Sequence, residues 1–357
     1  MSDNSDAPYL QLIDVFIGHW RGLTVSVPRD RGGGRAALKI KEQVNPQRAY
    51  LLFNRWDDNP LAQALEEQFP KWARDRIIVP DRQFEHRAEH APFLLELPEE
   101  LILYTLDIQS VRVRAWLAEC LAASAQQAGE RIAKQDFCGI VTSPAPAQAI
   151  ARHWVGLGDQ RPLYQDERVL FRYHDARVMQ RVWPALSAHQ QSRWLGPVTH
   201  WWSLVQPWGP FGCAPEAPQW FHAEAPMLPH EVQPGGSPRD LFDEAQWFLA
   251  GISPQANQIW CSYAKHNVAP QAQPDVVSLL QILEDAARLD LVGLNLEDYV
   301  WITWQHKPKE GAPRAMDWSL PHLAPVLSRI REQLRMQPSA RFSSLWVQAI
   351  QATNVKN

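Results

Sequence analysis

Between residues 37 and 205 short apolar runs alternate with longer stretches of helical spacing, and that order confines the chain to helices layered on a sheet. Ala37–Lys41 has the two-residue period of a strand. Ala49–Phe53, Pro92–Leu97, Phe137–Thr142, Val169–Tyr173 and Val198–Val205 read as further strands, the first of them a compact buried run. Between them Pro60–Trp72 places Leu61, Leu65, Phe69 and Trp72 on one helical face, and Val111–Gln127 does the same with Trp116, Leu117 and Leu121. Ala147–Trp154, Arg177–Leu186 and Ala188–Leu195 are shorter helices. The expected class is α/β, and spacing alone leaves the strand directions open.

The pattern breaks after Gln206. Eight prolines and four aromatics fall between Pro207 and Pro238. A stretch this rich in proline marks a linker or an ordered functional loop. The expected organisation is therefore an α/β lobe over 1–206, a connecting segment over 207–238, and a smaller, mainly α-helical C-terminal lobe over 239–357. Residues 1–48, with an amphipathic Tyr9–Trp20 and the Gly32–Gly34 loop, read as an extension particular to this chain. In the second lobe Leu241–Ala250, Leu296–Trp304 and Pro325–Met336 read as helices. Val276–Leu289 joins them with Val277, Leu280, Leu283 and Ala287 on a shared face, and Gln258–Tyr263 reads as a strand.

Composition narrows the function classes. The chain has 357 residues, 45% hydrophobic and 21% charged, so its core needs neither metal nor disulfide for stability. Its net charge is −4 with no long run of one sign, which argues against a nucleic-acid partner. No apolar stretch approaches the ~20 residues of a membrane span. Cys120, Cys138, Cys213 and Cys261 lie far apart without a paired spacing, and the first residues lack the basic and apolar regions of a signal peptide. A cytoplasmic location is expected.

One string looks catalytic. His86-Arg87-Ala88-Glu89-His90 has the His-x-x-Glu-His order of inverted zinc peptidases, in which two histidines one turn apart hold zinc and the glutamate activates water. It names the alternative function, a metal-dependent hydrolase. Pro92 follows at once, leaving only about one turn of helix to carry the motif, so solvent-facing loop histidines are the preferred reading. No nucleophile elbow, phosphate loop or dinucleotide fingerprint occurs. His153, His174, His200, His222, His266 and His306 are scattered. The expectation is a chain without catalytic residues, cofactor or metal.

The more informative run is Leu170-Phe171-Arg172-Tyr173-His174-Asp175-Ala176-Arg177-Val178, where a strand turns into a helix. Asp175 is placed to cap that helix, and Arg172 or Arg177 to pair with it in a planar fork. The run resembles the leucine-arginine-phenylalanine-tyrosine-aspartate-proline-arginine-valine signature of type VI secretion effector adaptors, the Tap or Tec proteins. Three further pieces are similar to that family in order: Ala91-Pro92-Phe93-Leu94-Leu95, Ser143-Pro144 followed by Ile150, Arg152 and His153, and Trp194-Leu195-Gly196-Pro197-Val198. The likeness covers about residues 49–205 and extends loosely over Leu283–Trp304. Ala176 stands where the family has proline, His174 looks inserted, and Phe53-Asn54-Arg55 lacks an expected aspartate.

The resemblance implies a non-enzymatic chaperone that binds one toxic effector and helps load it onto the VgrG spike or its tip protein. Arg172, Asp175, Arg177, Gly196 and Pro197 are expected to be structural. The 17 tryptophans outnumber the 12 phenylalanines. Because tryptophan favours interface hot spots, Trp201, Trp202, Trp208 and Trp220 are the candidate effector contacts, near the junction of the lobes.

Overall fold

The computed structural model describes residues 7–24, 47–98, 108–130, 135–162, 167–206, 217–227, 240–268, 273–305 and 316–354. The expected strand Ala37–Lys41, the Gly32–Gly34 loop, His306, Cys213 and Trp208 lie outside them. The chain forms two compact units. Described residues up to Gln206 and from 217 to Ala250 belong to the first, and those from Gly251 onward to the second.

The first unit is built on a six-stranded sheet in the order β2-β3-β1-β4-β7-β8. The strands are β1 Arg48–Phe53, β2 Ile77–Ile78, β3 Phe93–Glu96, β4 Phe137–Ser143, β7 His200–Leu204 and β8 Trp220–Glu224. All neighbours pair antiparallel. β3 and β4 therefore point the same way on either side of β1. Two-residue strands β5 Asp159–Gln160 and β6 Val169–Leu170 pair separately.

Both faces of the sheet are covered, which is why its central strands read as unbroken apolar runs. Tyr50, Leu52, Val141 and Trp201 face one core, shared with Ile150 and Trp154 of the helix Ala147–Gly158 and with Met179 and Trp194. Ala49, Leu51, Phe53, Ile140 and Trp202 face the other. That second core is closed by α1, Ala7–Thr24, through Ile13, Phe16, Ile17 and Trp20, and by the helix Ile108–Glu130 through Val113, Trp116 and Leu117. Within residues 1–48, Ala7–Thr24 is thus part of the core.

Local breaks have local causes. The expected helix Pro60–Trp72 is two, Pro60–Gln68 and Pro70–Arg74, split where Pro70 cannot donate to the preceding turn. Asn59 caps the first, its Oδ1 accepting from Leu61 N and Ala62 N. The β1–β4 register shifts between Leu52 and Phe53, next to Gly139 at φ +140°. A Cβ on Gly139 would meet the Trp202 carbonyl oxygen at 2.3 Å, so only glycine lets β4 lie this close to β7.

Two boundaries differ from expectation. β8 lies inside the proline-rich segment and pairs along its length with β7, and the helix Glu244–Gly251 falls almost wholly within the first unit. The connecting segment 207–238 is therefore partly sheet. Val169–Tyr173 yields only the short β6, because Phe171–His174 turns to feed the helix Ala176–Val182.

The second unit is helical throughout its described elements: Ser253–Lys265, Val276–Arg288, Gly293–Gln305, Ala324–Met336 and Phe342–Asn354. Gln258–Tyr263 is helix, not strand, since Ala256, Ile259 and Tyr263 bury one helical stripe. In Val276–Arg288 the buried face is Leu279, Ile282, Leu283 and Ala286, while Val277 is 79% exposed, so the expected stripe was rotated. Asp298 joins two of these helices by accepting from Arg341 (2.5 Å) and from Ser343 N (3.1 Å).

Candidate functional site

The run after β6 places its side chains by one buried carboxylate. Asp175 caps the helix Ala176–Val182, its Oδ1 accepting from Arg177 N at 3.0 Å. The Arg177 guanidinium folds back onto it in a fork, Nε to Oδ1 at 2.9 Å and Nη2 to Oδ2 at 2.7 Å. Both side chains are buried. Burial alone would raise the Asp175 carboxyl, but the charge and hydrogen bonds of Arg177 outweigh it and hold the group well below the usual carboxylate range. Of the two arginines that the sequence offered to Asp175, Arg177 forms this fork, while Arg172 lines a cleft.

That cleft, about 880 Å³, lies between the start of the signature, the end of β1 and the turns at 82–90. Arg55, Arg82, Arg87 and Arg172 line it with His86, His90 and His174, against one acid, Glu85. His174 is buried at its floor, where its Nε2 donates to Asn54 Oδ1 at 2.8 Å. Burial pushes the imidazole down to about 3, with the Arg172 charge adding to the shift and Asp175 opposing it. Arg55 is fixed beneath, 3.0 Å from Asp136 Oδ1 and donating to Asp58 O at 2.7 Å. Asp136 in turn accepts from Gln127 Nε2, and its N–H donates to Gln127 Oε1. The floor is thus neutral, with His174 uncharged and Arg55 paired with Asp136, while exposed Arg82 and Arg87 and half-buried Arg172 leave the cleft net positive and suited to an anionic or acidic partner group.

Two of the other resemblance fragments meet each other. Ser143 Oγ donates to Pro197 O at 2.6 Å, and the His153 ring bonds Arg193 O through Nε2 at 2.9 Å. Gly196 caps the helix Ala188–Leu195 at φ +58°, and a Cβ there would meet the His153 ring at 2.3 Å. Gly196 and Pro197 thus hold two helices together at the end of β4.

The zinc-peptidase string takes no helical form. Ala88–His90 is a single 3-10 turn, and His90 Nε2 lies 3.6 Å from Asp57 and 4.0 Å from Glu89. His86, Glu89 and His90 do not converge as ligands. Among the described residues, the side chains that do gather are His19 of α1, His200 of β7 and His222 of β8. Burial pushes His200 down and His222 down to about 4, with the neighbouring imidazoles adding to both shifts. Read singly from the sequence, these histidines gave no signal, because the β7–β8 register and the packing of α1 on that face bring them together.

The tryptophans are distributed otherwise than expected. Trp201 and Trp202 are buried, one on each face of the sheet, and so are core rings rather than surface anchors. Trp220 is half-buried, its Nε1 donating to Leu12 O at 2.8 Å, which fastens α1 to β8.

Residues 49–193 match the family model described as Domain of unknown function (DUF4123). No curated protein and no solved structure matches the chain. The DUF4123 segment contains β1 through the helix Ala188–Leu195 nearly complete, and with it every residue lining the basic cleft. Among the described residues no helix is long and apolar enough to cross a membrane.

Proposed function

We propose that this chain is a non-enzymatic adaptor that holds a type VI secretion effector in the cytoplasm and helps load it onto the VgrG spike complex. One observation carries the reading. The segment that matches DUF4123 also contains the run that resembles the effector-adaptor signature, and its Asp175 and Arg177 act as the buried joint of the fold. A signature-like run spent on architecture leaves the partner to be recognised elsewhere on the surface. The basic cleft beside Arg172 is the surface we assign to that contact, taking an acidic segment of the effector. This moves the expected contact away from Trp201 and Trp202, whose rings are enclosed.

The test is co-expression of the tag-free chain with the toxin encoded beside it and with the spike protein. Capture of the toxin as a stoichiometric complex is expected. Arg82→Glu with Arg87→Glu should weaken it by about 2 kcal/mol or more, the scale of an interface hot spot, while the unfolding midpoint stays within a degree or so of the parent's. Full capture by the charge-reversed chain removes the cleft from the reading, and failure of any encoded toxin to co-purify removes the adaptor role.

A further inference from the structure

Three imidazoles from three elements meet at the β7–β8 edge of the sheet. In that ladder His200 pairs with Glu224 and Trp202 with His222, so all four residues share one face. It is the face that α1 covers, with Phe16 edge-on to Trp202. His19, one turn along α1, closes the group. Its ring centroid lies 5.0 Å from that of His200 and 5.6 Å from that of His222. One nitrogen of each ring lies within 4.8 Å of the other two.

The arrangement has the marks of a site rather than of chance packing. His200 Nδ1 and His222 Nε2 approach to 3.0 Å, and His19 Nε2 is buried beside them without a hydrogen-bond partner among the described residues. Trp202 stacks on the His222 ring at 4.0 Å between centroids and fixes its plane. A hydrogen-bonded histidine pair alone does not account for a third imidazole with a nitrogen within 4.8 Å of both and a buried Nε2 left unpaired at a cost in free energy.

We propose that His19, His200 and His222 together bind one divalent transition-metal ion of the zinc class, joining α1 to the β7–β8 edge. Neutral imidazoles suit zinc, nickel and copper, whereas magnesium and calcium require oxygen ligands that this group lacks. In a tetrahedral site with metal–nitrogen bonds of about 2.0–2.1 Å, ligand nitrogens stand ~3.4 Å apart. The His200–His222 pair therefore has to open by only a few tenths of an ångström. Binding exchanges their shared hydrogen bond for two bonds to the metal. The donor ring moves its proton to its other nitrogen, so neutral rings release none. The fourth position opens to solvent past the exposed His222, where water completes the set, and Glu224 on the same face supplies a counter-charge.

The proposal is independent of the adaptor reading and is tested on the tag-free full chain, stripped with chelator. Titration with Zn²⁺ by calorimetry, and with Co²⁺ by visible absorption, should give one ion per chain. His222→Ala, an exposed change that leaves the fold intact, should weaken binding by about tenfold or more. His19→Ala should do the same, its folding verified by circular dichroism in metal-free buffer. Zn²⁺ should raise the unfolding midpoint of the parent and not that of His222→Ala. The double variant His86→Ala, His90→Ala should bind as the parent does. Absence of stoichiometric uptake overturns the proposal. So does uptake that survives both His19→Ala and His222→Ala, or that is lost with His86 and His90.

Discussion

His174 Nε2 donates to Asn54 Oδ1 across 120 residues of sequence, tying the run after β6 to the end of β1. An aspartate at 54 facing this imidazole would favour its charged form; the asparagine keeps the pair neutral.

That pair sets an acid limb of stability. His174 is held near 3 in the fold against an ordinary 6.5, so protons bind the unfolded chain more tightly. Its contribution is complete above about pH 6.5 and is lost as the pH falls through the interval toward 3. At about 1.4 kcal/mol per unit, discounted for water entry, the limb should amount to about 2–4 kcal/mol. Urea unfolding at a series of pH values measures it, and His174→Gln should flatten it. Asn54→Asp should move the His174 titration upward by about one unit or more, read by NMR.

Removing one partner of the Asp175–Arg177 fork strands the other as a buried charge. Asp175→Ala is expected to cost about 3–5 kcal/mol, more than the ~1 kcal/mol of a lost cap alone. Arg177→Ala should cost a similar amount, and the double variant less than their sum. Chemical denaturation of the four proteins closes the cycle; additive costs would show that the fork contributes nothing beyond its parts.

Gly196→Ala combines a left-handed φ with overlap onto the His153 ring. A loss of about 2–4 kcal/mol is expected, from backbone strain and overpacking together. His153→Ala placed in the same chain should return part of it. If the two changes simply add, the contact with His153 is not what excludes the side chain.

Trp220→Ala should act on stability rather than on partner affinity. The ring ties α1 to β8 through Leu12 O and meets Trp202 edge-on. About 2–4 kcal/mol should be lost, the cost of a partly buried large-to-small change. Effector affinity measured well below the unfolding midpoint should stay at the parent value; a drop of about tenfold there would restore Trp220 as a contact residue.

The class of fold was legible because burial on both faces leaves a plain trace. Leu51 and Leu52 point to opposite cores, so β1 shows no alternation, and β4 likewise. The direction of pairing left no such trace, since strands covered on both faces look alike whether parallel or antiparallel. β8 was hidden because, among the described residues of the proline-rich segment, the strand is the five residues Trp220–Glu224, and the segment's prolines all lie outside them. At Val276–Arg288, apolar residues occupy more than one stripe, and neighbouring helices rather than spacing chose Leu279 over Val277. Asp175 was legible from its place before a helix. The cleft and the histidine triad were not, because each is assembled from strands and turns whose partners are set only by tertiary pairing.

The fastening of α1 has a consequence for synthesis. Trp220 Nε1 and Leu12 O, which join it to the sheet, are separated by 208 residues. Its apolar stripe is synthesised well before β7 and β8, which are among the last strands of the first unit. At roughly 5–20 residues per second, Ile13, Phe16, Ile17 and Trp20 wait roughly 10–40 seconds for the β7–β8 part of their cover. During that interval the face of α1 that β7 and β8 later cover has only the earlier elements of the same core, β1 and the helix Ile108–Glu130, to pack against.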